Sequence, residues 1–100
     1  MQTADVFHLI VAISARTPAD IEPIADALAR MRPTCLAEPG CLAWEAYHSA
    51  DAAEKFYLVE TWASRAAWEA HGELSAIQDI YVPEIMPRIN REVHPCSRIG

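Results

Sequence analysis

Apolar and polar positions switch period along this chain, and each switch marks a new element. The run DVFHLIVAISAR is dense in β-branched and apolar residues and predicts a first strand over residues 5–15. The period then lengthens. Ile21, Ile24, Ala25, Leu28, Met31 and Cys35 recur at helical spacing. Thr17 or Asp20 can cap this helix, because a short side-chain oxygen accepts the orphan N–H groups of a first turn. Pro18 suits that turn, whereas Pro23 requires a start near Asp20. Pro33 should kink the last turn, and Pro39-Gly40 ends the element. CLAWEAYH alternates and predicts a second strand, Cys41–His48. The polar connection SADAAEK leads into FYLVETW, a third strand over residues 56–62, so the two form a hairpin. Ser64 then opens a second helical region. It should break at Gly72, restart at Ala76 with Ser75 as cap, and end at Pro83 and Pro87. RINREVH, residues 88–94, reads as the last strand. The order is β-α-β-β-α-β. This is the α+β, ferredoxin-like pattern of an antiparallel sheet with helices on one face.

The third strand raises a question of cover. Phe56, Leu58, Glu60 and Trp62 share one face, and Tyr57, Val59 and Thr61 share the other. Both faces are largely apolar, so both need covering. The chain's own helices serve one, and a second copy is expected on the other. Composition agrees: 52% of the 100 residues are hydrophobic, against about 45–50% in soluble domains. A chain of this length fits one domain, here with its core over about residues 5–94.

Charge and spacing exclude several function classes. With 8 basic and 14 acidic residues the net charge is −6, which works against binding a nucleic-acid backbone. Cys35, Cys41 and Cys96 form no CxxC and no disulfide framework, as expected of reduced thiols in a cytoplasmic protein. VFHLIVAIS is shorter than the about 20 residues of a membrane span and lacks the positive flank of a signal peptide. His8, His48, His71 and His94 show no metal-ligand spacing, and no glycine-rich nucleotide motif is present. No metal or cofactor is therefore expected.

One stretch is more specific. Glu38, Gly40 and Cys41 lead into the second strand, and Phe56, Glu60 and Trp62 lie on the third. Ser64 and Ala67 open the following helix, and His71 precedes Ser75. Together these residues resemble the antibiotic biosynthesis monooxygenase family, over roughly residues 6–93. The resemblance implies a homodimer in which two ferredoxin-like sheets close into an α/β barrel. It also implies a pocket between sheet and helices in each protomer. Members of that family include enzymes that oxidise phenolic polyketides or quinols with O₂, using no metal, flavin or haem. Others degrade haem, through a strand-one asparagine and a histidine on the later helix. Neither is found here on the first strand or over residues 76–86, which disfavours haem.

Direct reaction of O₂ with a closed-shell organic molecule is spin-forbidden, but an electron-rich phenolate or its carbanion tautomer can pass one electron to O₂. A protein then needs a base, a dry pocket and donors for the anion. His71, with an unperturbed pKa of about 6.5, is the expected base. Glu60 is expected to orient it or to bind a substrate hydroxyl. Trp62, Trp68, Tyr47 and Tyr81 are the expected substrate-binding aromatics. Arg88, Asn90 and Arg91 are expected on the exposed surface or at the dimer contact. The leading expectation is thus a cofactor-independent monooxygenase acting on a phenol, anthrone or quinol. The alternatives are a non-oxidative isomerase or decarboxylase-like pocket enzyme, or a non-catalytic dimer that binds small aromatics.

Overall fold

Strict alternation makes the first strand. Phe7, Leu9, Val11 and Ile13 are buried while the residues between them are not, as a pleated strand with one covered face requires. The computed structural model describes residues 6–100. Its elements are β1 (Phe7–Ala15), α1 (Ile21–Leu36), β2 (Cys41–His48), β3 (Lys55–Trp62), α2 (Arg65–His71), α3 (Ala76–Ile85) and β4 (Ile89–Cys96). Asp5, the expected first residue of β1, lies outside the described residues. β4 runs on through Pro95 to Cys96, which an edge strand tolerates because no neighbour needs the missing N–H.

The sheet order is β2-β3-β1-β4, and every neighbouring pair is antiparallel. The register builds rungs across it. Trp44, Glu60, Leu9 and Pro95 form one; Ala46, Leu58, Val11 and Val93 the next; His48, Phe56, Ile13 and Arg91 the third. A bulge between Cys41 and Ala43 adjusts β2 at its start.

The ferredoxin-like α+β architecture holds, but the expected α/β barrel does not. The sheet is open, with β2 and β4 on opposite edges, and is not closed into a barrel. Four strands cannot meet the tilt and stagger that closure demands; about eight are needed to enclose even a packed interior.

α1 lays Ile24, Ala27, Leu28, Met31 and Cys35 on the inner sheet face. Ala25, expected on that stripe, points to solvent, and Ala27 takes its place. Full burial of each large aliphatic side chain contributes roughly 1.5–3 kcal/mol. The start of α1 is pinned by Asp20, whose carboxylate accepts from the Thr17 N–H and hydroxyl and from Arg88. The helix continues through Pro33 to Leu36. α3 also passes the proline expected to end it, Pro83. It does so by winding more widely: the Met86 N–H reaches back five residues to the Tyr81 carbonyl, a turn that gives the proline ring more room than an α-turn. No helix among the described residues is long and apolar enough to cross a membrane.

Candidate active site

Two local devices bring Glu38 and His71 together. Gly40 adopts φ +82°, and a Cβ there would lie 2.6 Å from the Ala67 Cβ, so only glycine lets α2 pack this close to the turn after α1. The Gly40 carbonyl accepts from the Ala63 N–H at 2.7 Å, fixing that turn to the end of β3. Ser64 caps α2 by accepting from the Ala67 N–H at 3.1 Å. The helix then ends on His71, whose Nδ1 is hydrogen-bonded to Glu38 Oε1. The two side chains are only 5% and 6% exposed. With Glu38 ionised, Nδ1–H is the donor, and Nε2 carries the lone pair. Among the described residues Nε2 has no hydrogen-bond partner.

A second pair supports the first. Trp62 is fully buried, and its indole packs against the His71 ring at 4.6 Å between centroids. Its Nε1–H donates to Glu60 Oε1 at 2.9 Å. Burial pushes the Glu60 carboxyl above its ordinary value, Glu38 reinforces the shift, and the Trp62 donor and His71 partly offset it.

Cys35 completes a cluster in which one ligand-type atom each from Cys35, Glu38 and His71 lie within 4.8 Å of one another. Sulfur, carboxylate and imidazole are a zinc-like donor set. The direct His71–Glu38 hydrogen bond leaves no gap for an ion, however, and burial holds the Cys35 thiol far above its ordinary value, with Glu38 and Glu60 adding to the effect. Glu38 Oε2 is buried without a partner among the described residues. The cluster is arranged to orient an imidazole; a metal would require that hydrogen bond to open.

Beside these groups lies a partly open cavity of about 400 Å³ between sheet and helices. Leu9, Val11, Leu58 and Val93 give it an apolar floor, and Met31, Ile77, Val82 and Met86 an apolar roof; Trp44 and Trp68 are its aromatic walls. Its polar groups are Glu60, His71, Tyr81, Glu69 and Arg91. Of the residues singled out in the sequence, His71, Glu60, Trp68 and Tyr81 are therefore brought onto one cavity. Trp62 stands behind them, packed on His71 rather than on the lining. Tyr47 lies on the opposite sheet face, 57% exposed, paired across the strands with Tyr57. Arg91 is exposed as expected, yet its guanidinium also reaches the cavity and donates to the Tyr81 hydroxyl oxygen at 3.1 Å.

Three contributors escaped the sequence reading as site residues: Glu38, Trp44 and Arg91. The signal for Trp44 is parity, since it pairs with Glu60 on the same face. The signal for Glu38 is the turn in which it sits, next to Gly40.

The open ferredoxin-like sheet with helices on one face has many solved counterparts. PA3566 from Pseudomonas aeruginosa is 22% identical with a TM-score of 0.88, the match covering 100% of both chains. SO0527 from Shewanella oneidensis is 25% identical with a TM-score of 0.76, over 95% of each. A protein described as an antibiotic biosynthesis monooxygenase is 20% identical with a TM-score of 0.81, over 93% of this chain and 99% of its own. These likenesses carry the fold. No curated protein sequence matches the chain significantly. The family follows from the sequence itself. Residues 6–81 match the model of the antibiotic biosynthesis monooxygenase family, and the chain belongs to that family.

Proposed function

We propose that this protein is a monooxygenase that oxidises a phenol, anthrone or quinol with O₂ and no cofactor. The observation that carries the reading is the His71 imidazole, held by buried Glu38 and set on the wall of an apolar cavity. Glu38 fixes the tautomer and stabilises the imidazolium that forms when Nε2 takes a proton. Trp44 and Trp68 offer flat surfaces for an aromatic ring. Glu60 faces the substrate hydroxyl.

For an anthrone-type substrate the steps balance. Nε2 removes a proton from the ring system's CH₂, leaving a delocalised anion. The anion gives one electron to O₂, and the radical pair joins through a C–O bond. The resulting peroxide takes up the proton held on His71. It then loses the second hydrogen of that carbon with the outer oxygen, as water, and the carbon becomes a carbonyl. O₂ supplies one oxygen to the product and one to water.

Family membership and the cavity support this reading, and the apolar outer sheet face supports a homodimer of the whole chain, taken as one domain. The free thiols of Cys35, Cys41 and Cys96 suit a reducing cytoplasm. The test is oxygen uptake and quinone formation over a panel of anthrones and hydroquinones. His71→Ala should slow turnover by about 10²–10⁴-fold, the usual contribution of a general base. Rates no faster than buffer across the panel would sink the proposal. Turnover without oxygen uptake would replace it with a non-oxidative reaction.

A further inference from the structure

Arg91 is the one arginine or lysine on the cavity lining. The chain is acidic overall, at −6, and four of its six other arginines, Arg30, Arg32, Arg65 and Arg88, face a carboxylate, Arg16 and Arg98 being the exceptions. Among the described residues Arg91 is in no ion pair. Its only hydrogen bond among the described residues goes to the Tyr81 hydroxyl oxygen, and its guanidinium lies 5.5 Å from that ring's centroid. Because Tyr81 accepts there, its own O–H is free to donate. Burial raises the Tyr81 phenol above its ordinary value, against the pull of Arg91, so the proton stays on. The result is a pair of donors at the cavity with an unneutralised positive charge.

The register sets the backbone of Arg91 apart from that of Glu60, whose charge is the weakest of the influences on the Tyr81 phenol. Glu60 shares a rung with Leu9, and Arg91 shares one with Ile13. The two positions are four residues apart along the strand direction and two strand spacings apart across the sheet, about 16 Å between Cα atoms. Apolar Val11 and Val93 lie between them. The remaining lining carboxylate, Glu69, is 64% exposed and faces Arg65 at 3.7 Å, so it does not neutralise Arg91.

Resting on the oxygenase reading above, we infer that the substrate is a hydroxylated aromatic of more than one ring that carries a carboxylate at the end remote from the reacting centre, bound by Arg91 and Tyr81. The planar guanidinium fork matches a carboxylate. One such group neutralises one arginine, and the apolar floor between the two polar ends fits fused rings.

The experiment compares a hydroxynaphthoate with its methyl ester by calorimetry, on the wild type and on Arg91→Gln, Arg91→Lys and Tyr81→Phe. The wild type should bind the acid more tightly than the ester by about tenfold or more, the yield of a charge-assisted hydrogen bond. Arg91→Gln should erase that preference and leave ester binding within about twofold, a change small beside one such bond. Arg91→Lys should retain part of the preference, and Tyr81→Phe should reduce it less than Arg91→Gln does. Equal wild-type affinity for acid and ester overturns the inference, and that comparison needs no variant to fold. So does an Arg91→Gln variant that weakens both ligands alike. An oxygen electrode keeps the two proposals apart. Acid-selective binding with no oxygen uptake removes the oxygenase and keeps the carboxylate site; oxidation of neutral phenols with no acid preference does the reverse.

Discussion

The two faces of the sheet are built from the same alternation and end up in different surroundings. On β1, Ile13 points inward and is fully buried under the helices, while Ile10 points outward and is 40% exposed. Inward residues pack with Leu28, Met31 and Ile85 into one core; outward ones form an apolar band of Ile10, Val59, Tyr57 and Tyr47 with none of the described residues laid over it. Alternation therefore decides which residues belong together, but the crossover helices alone decide which set becomes the core. The sharpest test uses one residue type on one strand. Ile13→Ala should cost about 2–5 kcal/mol in urea unfolding, from lost transfer energy and the cavity left behind. Measured at concentrations where the chain is monomeric, Ile10→Ala should stay within about 1 kcal/mol, the span of strand propensity alone. Equal costs would mean that the outer face is already covered in the folded unit that unfolds.

That outcome leads to the next test. Val59 and Ile10 are cross-strand neighbours on the outer face, so a charge at position 59 would sit in the middle of any contact made there. Val59→Lys should convert a dimer to a monomer in sedimentation velocity, while the far-UV spectrum and the cavity chemistry persist. A wild type that sediments as a monomer at every concentration would leave the apolar band without the partner proposed for it.

The sheet was legible because its cause is local. Phe56, Leu58, Glu60 and Trp62 show their common face in the sequence, and the burial of β3 follows it residue by residue. The breaks at Gly40 and Gly72 and the Ser64 cap were legible for the same reason. Glu38 was not, because its partner His71 is 33 positions away and meets it only after α2 folds back onto the turn at Gly40. Trp44 and Tyr47 differ in parity, which separates their faces but does not say which face the helices take. Closure of the sheet was out of reach for a different reason. It depends on strand number and stagger across the whole assembly, and no stretch of residues encodes either locally.

Glu60 offers the finest probe, because it is the carboxyl of β3 carried on the buried face. Burial raises its pKa above the ordinary 4.5, outweighing the opposing pull of the Trp62 donor and of His71. The folded state therefore holds this proton more tightly than the unfolded chain does. By linkage, the stability tied to the proton is fully present below the unfolded value and is lost as pH rises through the raised folded value. Glu60→Gln fixes the neutral form, and its amide oxygen can still accept from Trp62. The variant's Tm should match the wild type in acid below 4.5 and exceed it increasingly towards neutral pH, levelling off once wild-type Glu60 is ionised. Paired thermal melts from acid to neutral pH give the measurement. A difference that is flat, or that turns against the variant at neutral pH, would mean that the Trp62 and His71 contacts outweigh desolvation. The inner face would then be built to hold a carboxylate, not a carboxylic acid.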